Sequence, residues 1–418
     1  MRAKHSFLKY YNMTNIIPWY RNIYFLVILS YIIFASIIYI IVQGIIPEYS
    51  NLLLLGNRAI YYLPMAMLIF FTGLFILEGR FAHVKIDKKF INIWLCFAFS
   101  GIISAVFSIK PWLSIIYAFS FPLSLFLIML FVGKLSVDDI YRLFRWGGAI
   151  IIICAYVSFY YLGGRERFGF ELQINPNNLA FFVSIAFASI LFSRSNLYFK
   201  IIAAAGAIFI LFTGSRSGLL ATIASALIYF VINANIIKKK LFLLIFVAGV
   251  FGFAIIYSFS LAFMNIELIF ENIAPTKRVK VIDRDIRLDA KSLNTSIQDR
   301  IYIAKIYTKT FELSLFGEGP RISSIILGRV AGAISHNSFL SILYDYGIIG
   351  FIIYIFGIMY VIYKYIYFNS SVPGPCLLIS INGINCIYQD TLLSHISPAG
   401  ILICIALCAH VVFNKNRT

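Results

Sequence analysis

The sequence has few charged residues for its length. Only 12% of its 418 residues are charged and 61% are hydrophobic, whereas an ordinary soluble domain has about a quarter charged residues. So little charge cannot cover a water-soluble surface, which excludes a soluble globular protein. Because the apolar runs are continuous rather than alternating, a closed β-barrel is excluded too. The fold class that remains is an all-α integral membrane protein.

Apolar runs recur along the chain at a length that suits a membrane. A helix needs roughly 20 apolar residues to cross a bilayer core of about 30 Å. The first run follows a polar N-terminal stretch and has no small-residue cleavage site after it, so we expect a retained helix rather than a signal peptide. We predict about twelve transmembrane helices, at residues 23–42, 59–77, 90–107, 113–132, 147–162, 179–192, 201–213, 218–235, 241–263, 345–367, 376–391 and 397–413.

Cysteine and acidic residues are also scarce. The six cysteines lie within or at the edges of predicted spans, so none is placed to cross-link an external loop, and no CxxC metal-binding spacing occurs. Lys and Arg exceed Asp and Glu by 35 to 17, which leaves a formal net charge of +18. The basic residues are scattered over loops rather than concentrated on one soluble face. This pattern indicates membrane topology and argues against nucleic-acid binding.

Lys and Arg divide unevenly between the two predicted sides of the membrane. Positive residues are retained in the cytoplasm. With the N-terminus inside, 19 of the 35 Lys and Arg fall in cytoplasmic segments and five in short outward loops, and the rest lie in one long polar region, residues 264–337. Both termini are therefore predicted to be cytoplasmic. The expected organisation is helices 1–9 in residues 1–263, a long loop with short helices on the outer side of the membrane in 264–344, and helices 10–12 with a cytoplasmic tail in 345–418.

The long loop has a charge-mixed first part and a second part with a helical pattern. Asp283-Arg-Asp285 resembles a metal-binding DxD, but the flanking arginines would repel a cation, so no metal is expected. A capping-box pattern begins at Ser296, and apolar residues follow at helical spacing. These signals predict a helix over about 297–312, which ends before the glycines of Gly317-Glu-Gly319.

Arg216 lies in a glycine-flanked turn between two apolar runs, Thr213-Gly-Ser-Arg-Ser-Gly218. The glycines allow a ligand to approach the backbone closely, and Ser215 and Ser217 add hydroxyl donors. Taken alone, Arg216 fits equally an arginine that snorkels to lipid phosphate.

Two further positions on the predicted outer face have side chains suited to chemistry. Arg300 follows Asp299, and a weak local ion pair is the simplest role for it. His336 precedes Asn337 at the start of a span. Histidine ordinarily titrates near pH 6.5, which suits proton transfer, although a structural hydrogen bond is the simpler alternative.

Four segments of the chain, in order, resemble the bacterial lipid-linked polysaccharide polymerase and O-antigen ligase superfamily, and most closely its O-antigen polymerases. The likeness covers about residues 160–365, and Asp345 stands where members often have glutamate. The segments are Arg165-Glu-Arg-Phe-Gly169 with Asn175-Pro-Asn-Asn-Leu-Ala180, Thr213-Gly-Ser-Arg-Ser-Gly-Leu-Leu220, Asp299-Arg300 with Gly317-Glu-Gly319, and His336-Asn337 with Tyr346-Gly-Ile-Ile-Gly350.

This resemblance implies inverting glycosyl transfer without a metal, cofactor or nucleotide sugar. A glycan on undecaprenyl diphosphate would move to an acceptor hydroxyl at the periplasmic face of the inner membrane. By resemblance, Arg216 and Arg300 neutralise the diphosphate leaving group, and His336 deprotonates, polarises or positions the acceptor hydroxyl. Substrate binding is expected from Arg167, Asn177, Ser215, Ser217 and Asn337. The expected partners are the lipid-linked donor and acceptor, the bilayer and a chain-length regulator protein, with no nucleic acid.

Several functions compete at this point. The leading prediction is a polymerase, in which donor and acceptor are both carried on undecaprenyl diphosphate. A ligase, which transfers the glycan to the lipid A core, is the alternative within the superfamily. A flippase or transporter for lipid-linked oligosaccharides is the alternative of another class. Transporters usually place ionisable residues or broken helices at mid-membrane, whereas the middle of these spans is nearly free of charge. A structural scaffold would leave the external motifs unexplained.

Overall fold

A computed structural model describes residues 22–42, 59–82, 84, 86–161, 176–233, 239–263, 313–323, 325–326, 337–368, 373–388 and 397–415. Within these ranges the chain is helical apart from short turns, and they contain no β-strand. The prediction of an all-helical chain is therefore confirmed for this part of the protein.

The helices follow the predicted spans closely. Each of the twelve predicted spans overlaps a helix. They are α1 (Ile23–Ser36, continued by a π-helix, Ile37–Val42), α2 (Ala59–Leu77), α3 (Lys88–Val106), α4 (Pro111–Val132), α5 (Val137–Tyr161), α6 (Pro176–Phe192), α7 (Leu197–Thr213), α8 (Arg216–Asn233), α9 (Lys239–Phe263), α10 (Ser338–Phe368), α11 (Gly374–Tyr388), α12 (Pro398–Cys408) and α13 (His410–Lys415). In the described chain, five are long and apolar enough to cross a membrane, namely α1 with its π-helical end, α3, α4, α5 and α10. The number of crossings stays a prediction.

Two helices begin well before the predicted spans. Helix α5 begins at Val137 and α10 at Ser338, whereas hydropathy placed their spans at 147 and 345. The first turn of α5 contains Asp138 and Asp139, which favour a helix start because they oppose the positive end of the helix dipole. Hydropathy detects only the apolar part of a helix, and polar first turns therefore escape it.

Side-chain oxygens fix several of the helix starts. Each oxygen accepts a hydrogen bond from a backbone N–H group in the first turn, as expected of Asn, Asp and Ser at the N-cap. Helices α4 and α12 also carry proline at the first position, where no N–H bond is lost. The capping residues of α1, α3, α7 and α12 are Asn22, Asp87, Asn196 and Ser397.

Small residues bring the helices together around α6. A Cβ on Gly148 of α5 would lie 2.6 Å from the Ser189 hydroxyl, and one on Gly218 of α8 would lie 2.7 Å from the Ala180 Cβ. Close backbone approach at glycine is typical of packing between membrane helices. Nearly every residue of α6 and all of α12 are buried, so these two helices form the centre of the bundle.

Contacts between helix ends show which helices start at the same end of the bundle. Gly374, which begins α11 after α10 has ended, packs on the carbonyl of Phe192 at the end of α6. The start of α6 therefore lies at the same end of the bundle as the start of α10, and the contact of Gly218 with Ala180 adds the start of α8. We call this the site end. The opposite end contains Asp87, Lys364 and His410, which lie together.

Candidate active site

The turn from α7 to α8 forms one part of the site end. Gly214 takes a left-handed conformation (φ 61°) and ends α7. The Ser215 hydroxyl then accepts an N–H bond from Gly218 at 3.4 Å and lies 3.2 Å from the Ser217 hydroxyl. Both serines are buried. The turn Thr213–Gly218 is thus a compact helix start with Arg216 as its first helical residue.

Helix α6 presents its start beside this turn. Gly218 rests directly on Ala180, and Asn177, the second residue of α6, is half-buried. The structure therefore brings together the starts of the two helices that carry Asn177, Ser215 and Ser217. All three were predicted to bind substrate.

Asn337 marks the start of α10 at the same end. Its side chain is buried, and its Oδ1 accepts the Leu340 N–H at 2.9 Å, so it caps the helix. The capping bond engages the side-chain oxygen of Asn337. It does not test the predicted role of this residue in substrate binding.

The predicted charged residues lie largely beyond the described chain. Arg167, Arg300 and His336 are outside the described residues, as is the whole of the predicted helix 297–312. For Arg216 the structure describes the backbone at the start of α8 and not the side chain. The catalytic roles of these residues stay predictions.

Helix α10 is broken near its start. Gly347 has φ 72° and ψ −177° inside the helix, a combination that is essentially restricted to glycine. The break separates a short half-helix, Ser338–Tyr346, from the long apolar remainder of α10. Backbone groups at a break lose their helical partners and need others, most of all at the edge of a membrane.

The loop segment Ser314–Gly319 supplies these partners. Beyond the break, the N–H groups of Ile348 and Ile349 donate to the carbonyls of Ser314 and Leu315 at 3.1 and 3.2 Å. Before the break, the carbonyls of Tyr344 and Asp345 accept from the N–H groups of Glu318 and Gly319 at 2.8 and 3.0 Å. Loop and helix are joined by four backbone hydrogen bonds. We call this contact, Ser314–Ser323 against Tyr344–Ile349, the junction.

The carboxylate of Asp345 extends the junction. Its Oδ2 accepts the Arg321 N–H and its Oδ1 the Ser323 N–H, both at 2.9 Å. Asp345 is 0% exposed. A charged acceptor makes stronger hydrogen bonds than a neutral one, so this buried side chain binds the turn Arg321–Ser323 firmly to α10.

The junction also rests on the turn between α3 and α4. The Ser104 hydroxyl donates to the Phe316 carbonyl. A Cβ on Gly319, whose φ is 106°, would lie 2.6 Å from the Cβ of Ser108. The Arg321 guanidinium lies 5.6 Å from the centre of the Tyr117 ring, a cation–π distance. The loop segment therefore lies between α10 and the turn that joins α3 to α4.

Sequence reasoning missed the junction as a structural unit. It recognised Gly317-Glu-Gly319 and Tyr346-Gly-Ile-Ile-Gly350 as separate segments and did not pair them. It also left Asp345 without a role. An acidic residue at the edge of an apolar run is a signal that could have been used, because such residues are costly near a membrane and usually have partners.

Electrostatically, the site end suits an anion. The starts of α6, α8 and α10 all lie there, and each helix N-terminus has a partial positive charge and N–H groups that point out of the helix. Phosphate groups bind readily to such helix starts. The opposite end holds Asp87 and Asp139 with their basic partners, whereas Glu318 and Asp345 belong to the junction at the site end.

Part of the chain is similar to a known protein family. Residues 201–355 match the family model Wzy_C, which is described as O-Antigen ligase. The match includes the turn Thr213–Gly218, the junction and the start of α10, and it leaves the start of α6 outside. No curated protein matches the chain. The family match therefore supports the O-antigen ligase and polymerase superfamily for this chain, as an O-antigen ligase-like or polymerase-like membrane enzyme.

Proposed function

We propose that this protein is a glycosyltransferase that polymerises O-antigen repeat units linked to undecaprenyl diphosphate. The reaction is inverting, uses no metal and takes place at the periplasmic face of the inner membrane. The observation that carries the proposal is the family match over residues 201–355, which includes the positions of Arg216, Arg300, His336 and Asn337.

The chemistry requires a nucleophile, a base and a stabilised leaving group. The acceptor hydroxyl oxygen attacks the anomeric carbon of the donor glycan, and its proton passes to His336 as the new C–O bond forms. The bond from the anomeric carbon to the diphosphate breaks, and undecaprenyl diphosphate leaves with the electron pair. Arg216 and Arg300 neutralise the developing charge, because guanidinium groups bind phosphate oxygens in a bidentate manner.

The gathered helix starts support this role for the site end. A diphosphate leaving group gains negative charge in the transition state, and donors fixed in advance stabilise it without reorganising. The buried hydroxyls of Ser215 and Ser217 lie 3.2 Å apart at the start of α8, next to the backbone of Arg216. Arg167, Asn177 and Asn337 complete the proposed binding surface for the donor and acceptor glycans. A chain-length regulator protein is the further partner expected of such a polymerase.

A ligase that transfers the glycan to the lipid A core is the second candidate. The matching family is described as O-Antigen ligase, so the ligase stands beside the polymerase as a candidate. Complementation of two null strains separates the two functions, one strain lacking the polymerase and the other lacking the ligase. We expect this protein to restore the lipopolysaccharide ladder in the polymerase-null strain. If the ladder returns only in the ligase-null strain, the protein is a ligase and the polymerase proposal is wrong.

A lipid-linked oligosaccharide flippase is the candidate of another class. Transporters often have broken helices at mid-membrane, and α10 is broken. Its break, however, lies near the start of the helix, and the loop segment pairs with its backbone groups. The break thus serves an attachment between loop and helix, which agrees better with an external catalytic site than with a transport path.

The periplasmic placement rests on the distribution of Lys and Arg. It predicts that a cysteine introduced at Ser292 reacts with an impermeant thiol reagent added outside the membrane, whereas one at Ile236 does not. Labelling with the reverse pattern would place the site in the cytoplasm and rule out this proposal.

A further inference from the structure

We propose that Asp345 is a positioning residue for glycosyl transfer: its carboxylate fixes the loop turn Arg321–Ser323 to the half-helix Ser338–Tyr346, which begins one residue after Asn337. The inference rests on the proposed function, since it holds that the contact of Asp345 with the loop turn serves catalysis. Asp345 itself need not touch the substrate.

The half-helix needs external support. It has nine residues, or about two and a half turns, and a helix so short is marginal by itself. The break at Gly347 disconnects it from the rest of α10. Its direction therefore depends on what it contacts, and the junction is the contact at its C-terminal end.

The loop turn also needs support. Arg321 has a left-handed backbone (φ 73°), which is unfavourable for a residue other than glycine. Such a conformation persists only where the surroundings enforce it. Asp345 accepts the N–H bond of Arg321 itself at 2.9 Å and so stabilises the strained residue directly.

The position of the junction connects it to the catalytic residue. Ser323, in the loop turn, is bonded to Asp345, and α10 begins after Asn337, the residue that directly follows His336. Asp345 is eight positions after Asn337, about 12 Å along a helix. A small rotation at the junction would therefore displace the start of the half-helix by an ångström or more. Misplacement of a catalytic group by about 1 Å can cost 100-fold in rate.

The positioning role makes a prediction that a merely structural role does not. In Asp345→Asn, one carboxylate oxygen becomes an NH2 group that cannot accept an N–H bond, and the negative charge is lost. We expect kcat to fall about 10- to 100-fold, while KM for the donor changes less than about threefold. Asp345→Glu keeps the carboxylate and should recover part of the rate.

The experiment combines hydrogen exchange with kinetics on the full-length protein in nanodiscs. Exchange at the amides of residues 313–323 reports the junction independently of activity, and transfer of purified lipid-linked repeat units reports catalysis. In Asp345→Asn we expect exchange at Arg321 and Ser323 to accelerate about 10-fold or more, with Asp345→Glu in between. The matched control is Asp139→Asn, another buried aspartate that accepts a backbone N–H bond, from Ser136 at the opposite end. It should leave both the exchange of the loop and kcat unchanged.

Each outcome decides the inference. Faster exchange together with lower kcat supports it, whereas faster exchange with a wild-type kcat, or unchanged exchange, overturns it. Should Asp345→Asn fail to accumulate, Asp345→Glu decides by the same two measurements. If the wild-type enzyme is active and the Asp345 variants have its exchange rates and its kcat, only the positioning role is overturned. A wild-type enzyme that transfers no lipid-linked glycan overturns the proposed function and the positioning role with it.

Discussion

The two ends of helix α10 are held by different chemistry. At the site end, four backbone hydrogen bonds and two bonds from backbone N–H groups to Asp345 join the helix to the loop segment. At the opposite end, Asp87 interacts with side chains from α10 and α13: the Tyr360 hydroxyl at 3.0 Å, His410 Nε2 at 3.3 Å and Lys364 Nζ at 3.7 Å. The site end combines backbone pairing with one carboxylate, Asp345, whereas the contacts of Asp87 at the opposite end are made by side chains.

At the opposite end, the surroundings of Asp87 lower the pKa of its carboxyl group. Burial alone would raise the pKa of Asp87, but the interaction with His410, the Phe90 N–H bond and the Tyr360 hydroxyl together hold its pKa well below the ordinary value. The His410 Nδ1 lies 2.7 Å from the Leu407 carbonyl and can donate its proton there, which turns Nε2 toward Asp87. This cluster ties α3, α10 and α13 together.

The two ends of α10 therefore differ in the groups that attach the helix to its neighbours. An attachment that depends on side-chain charge responds to pH and to single substitutions. The four backbone hydrogen bonds of the junction join groups that do not titrate, and the carboxylate of Asp345 adds two bonds that depend on a side chain. We expect the pH dependence of the reaction to arise from His336.

The largest expected effect is at His336. If it accepts the proton of the acceptor hydroxyl, His336→Gln should lower the rate of transfer about 10²- to 10⁴-fold, the usual worth of a positioned general base, with little change in donor binding. Wild-type activity should also fall as the pH drops through the titration of histidine, because a protonated ring cannot accept a proton. Purified enzyme in nanodiscs, assayed from pH 5 to 8, provides the measurement.

The histidine at the opposite end provides the control for this prediction. His410→Gln should retain the pH profile of the wild type, since His410 lies with Asp87 rather than at the site end. A flat wild-type profile together with an active His336→Gln enzyme would remove His336 from catalysis.

The next largest effect is at Arg216. Arg216→Lys keeps the positive charge but loses the planar, two-pronged donor, and loss of one stabilising donor typically costs 10²- to 10³-fold. We expect most chain extension to disappear at normal protein levels, and Arg300→Lys to behave alike. Lipopolysaccharide ladders and membrane immunoblots measure the two quantities. Arg142→Lys is the control, because its 3.5 Å ion pair with Asp139 is partly exposed and of little energetic value. Near-wild-type chain extension in Arg216→Lys would reduce Arg216 to a topology or packing residue.

Gly347→Ala tests the junction by sterics. The left-handed backbone at Gly347 costs a residue with a Cβ about 1–3 kcal/mol, and the new methyl group would collide with the Leu315 carbonyl. We expect a loss of activity of about 10-fold or more, together with a lower unfolding temperature in detergent. Gly249→Ala is the matched control, since a Cβ there meets nothing within 4 Å and alanine is the better helix former. Equal behaviour of the two variants would show that the break in α10 is unimportant.

The smallest effect concerns acid stability at the opposite end. Because the pKa of Asp87 is lowered on folding, its contribution to stability is fully present above the ordinary pKa of about 4 and is lost as pH falls toward the lower folded value. Between pH 5 and 8 the contribution should not vary. The unfolding temperature of the wild type should therefore fall more steeply below about pH 4 than that of Asp87→Asn. Glu78→Gln, which removes an exposed ion pair with Arg80, is the control and should follow the wild type. Parallel curves for all three would contradict the assignment.

The sequence by itself predicted which segments are helical. Long apolar runs have one stable solution in a bilayer, because each backbone group must be paired within its own segment. Every predicted span accordingly overlaps a helix, and the glycine-flanked turn before α8 was located correctly from Thr213–Gly218. The superfamily also followed from short local segments, which the family match over residues 201–355 supports.

Tertiary structure decided what joins these segments. Hydropathy could not indicate that α10 begins at Ser338 or breaks at Gly347, since both depend on backbone hydrogen bonds to a loop that is distant in sequence. Asp345 had no role until Arg321 and Ser323 were found 2.9 Å from its oxygens. Local sequence determines secondary structure through burial and hydrogen bonds within a segment. The pairing of a broken helix with a loop arises only when the chain brings their unpaired backbone groups together.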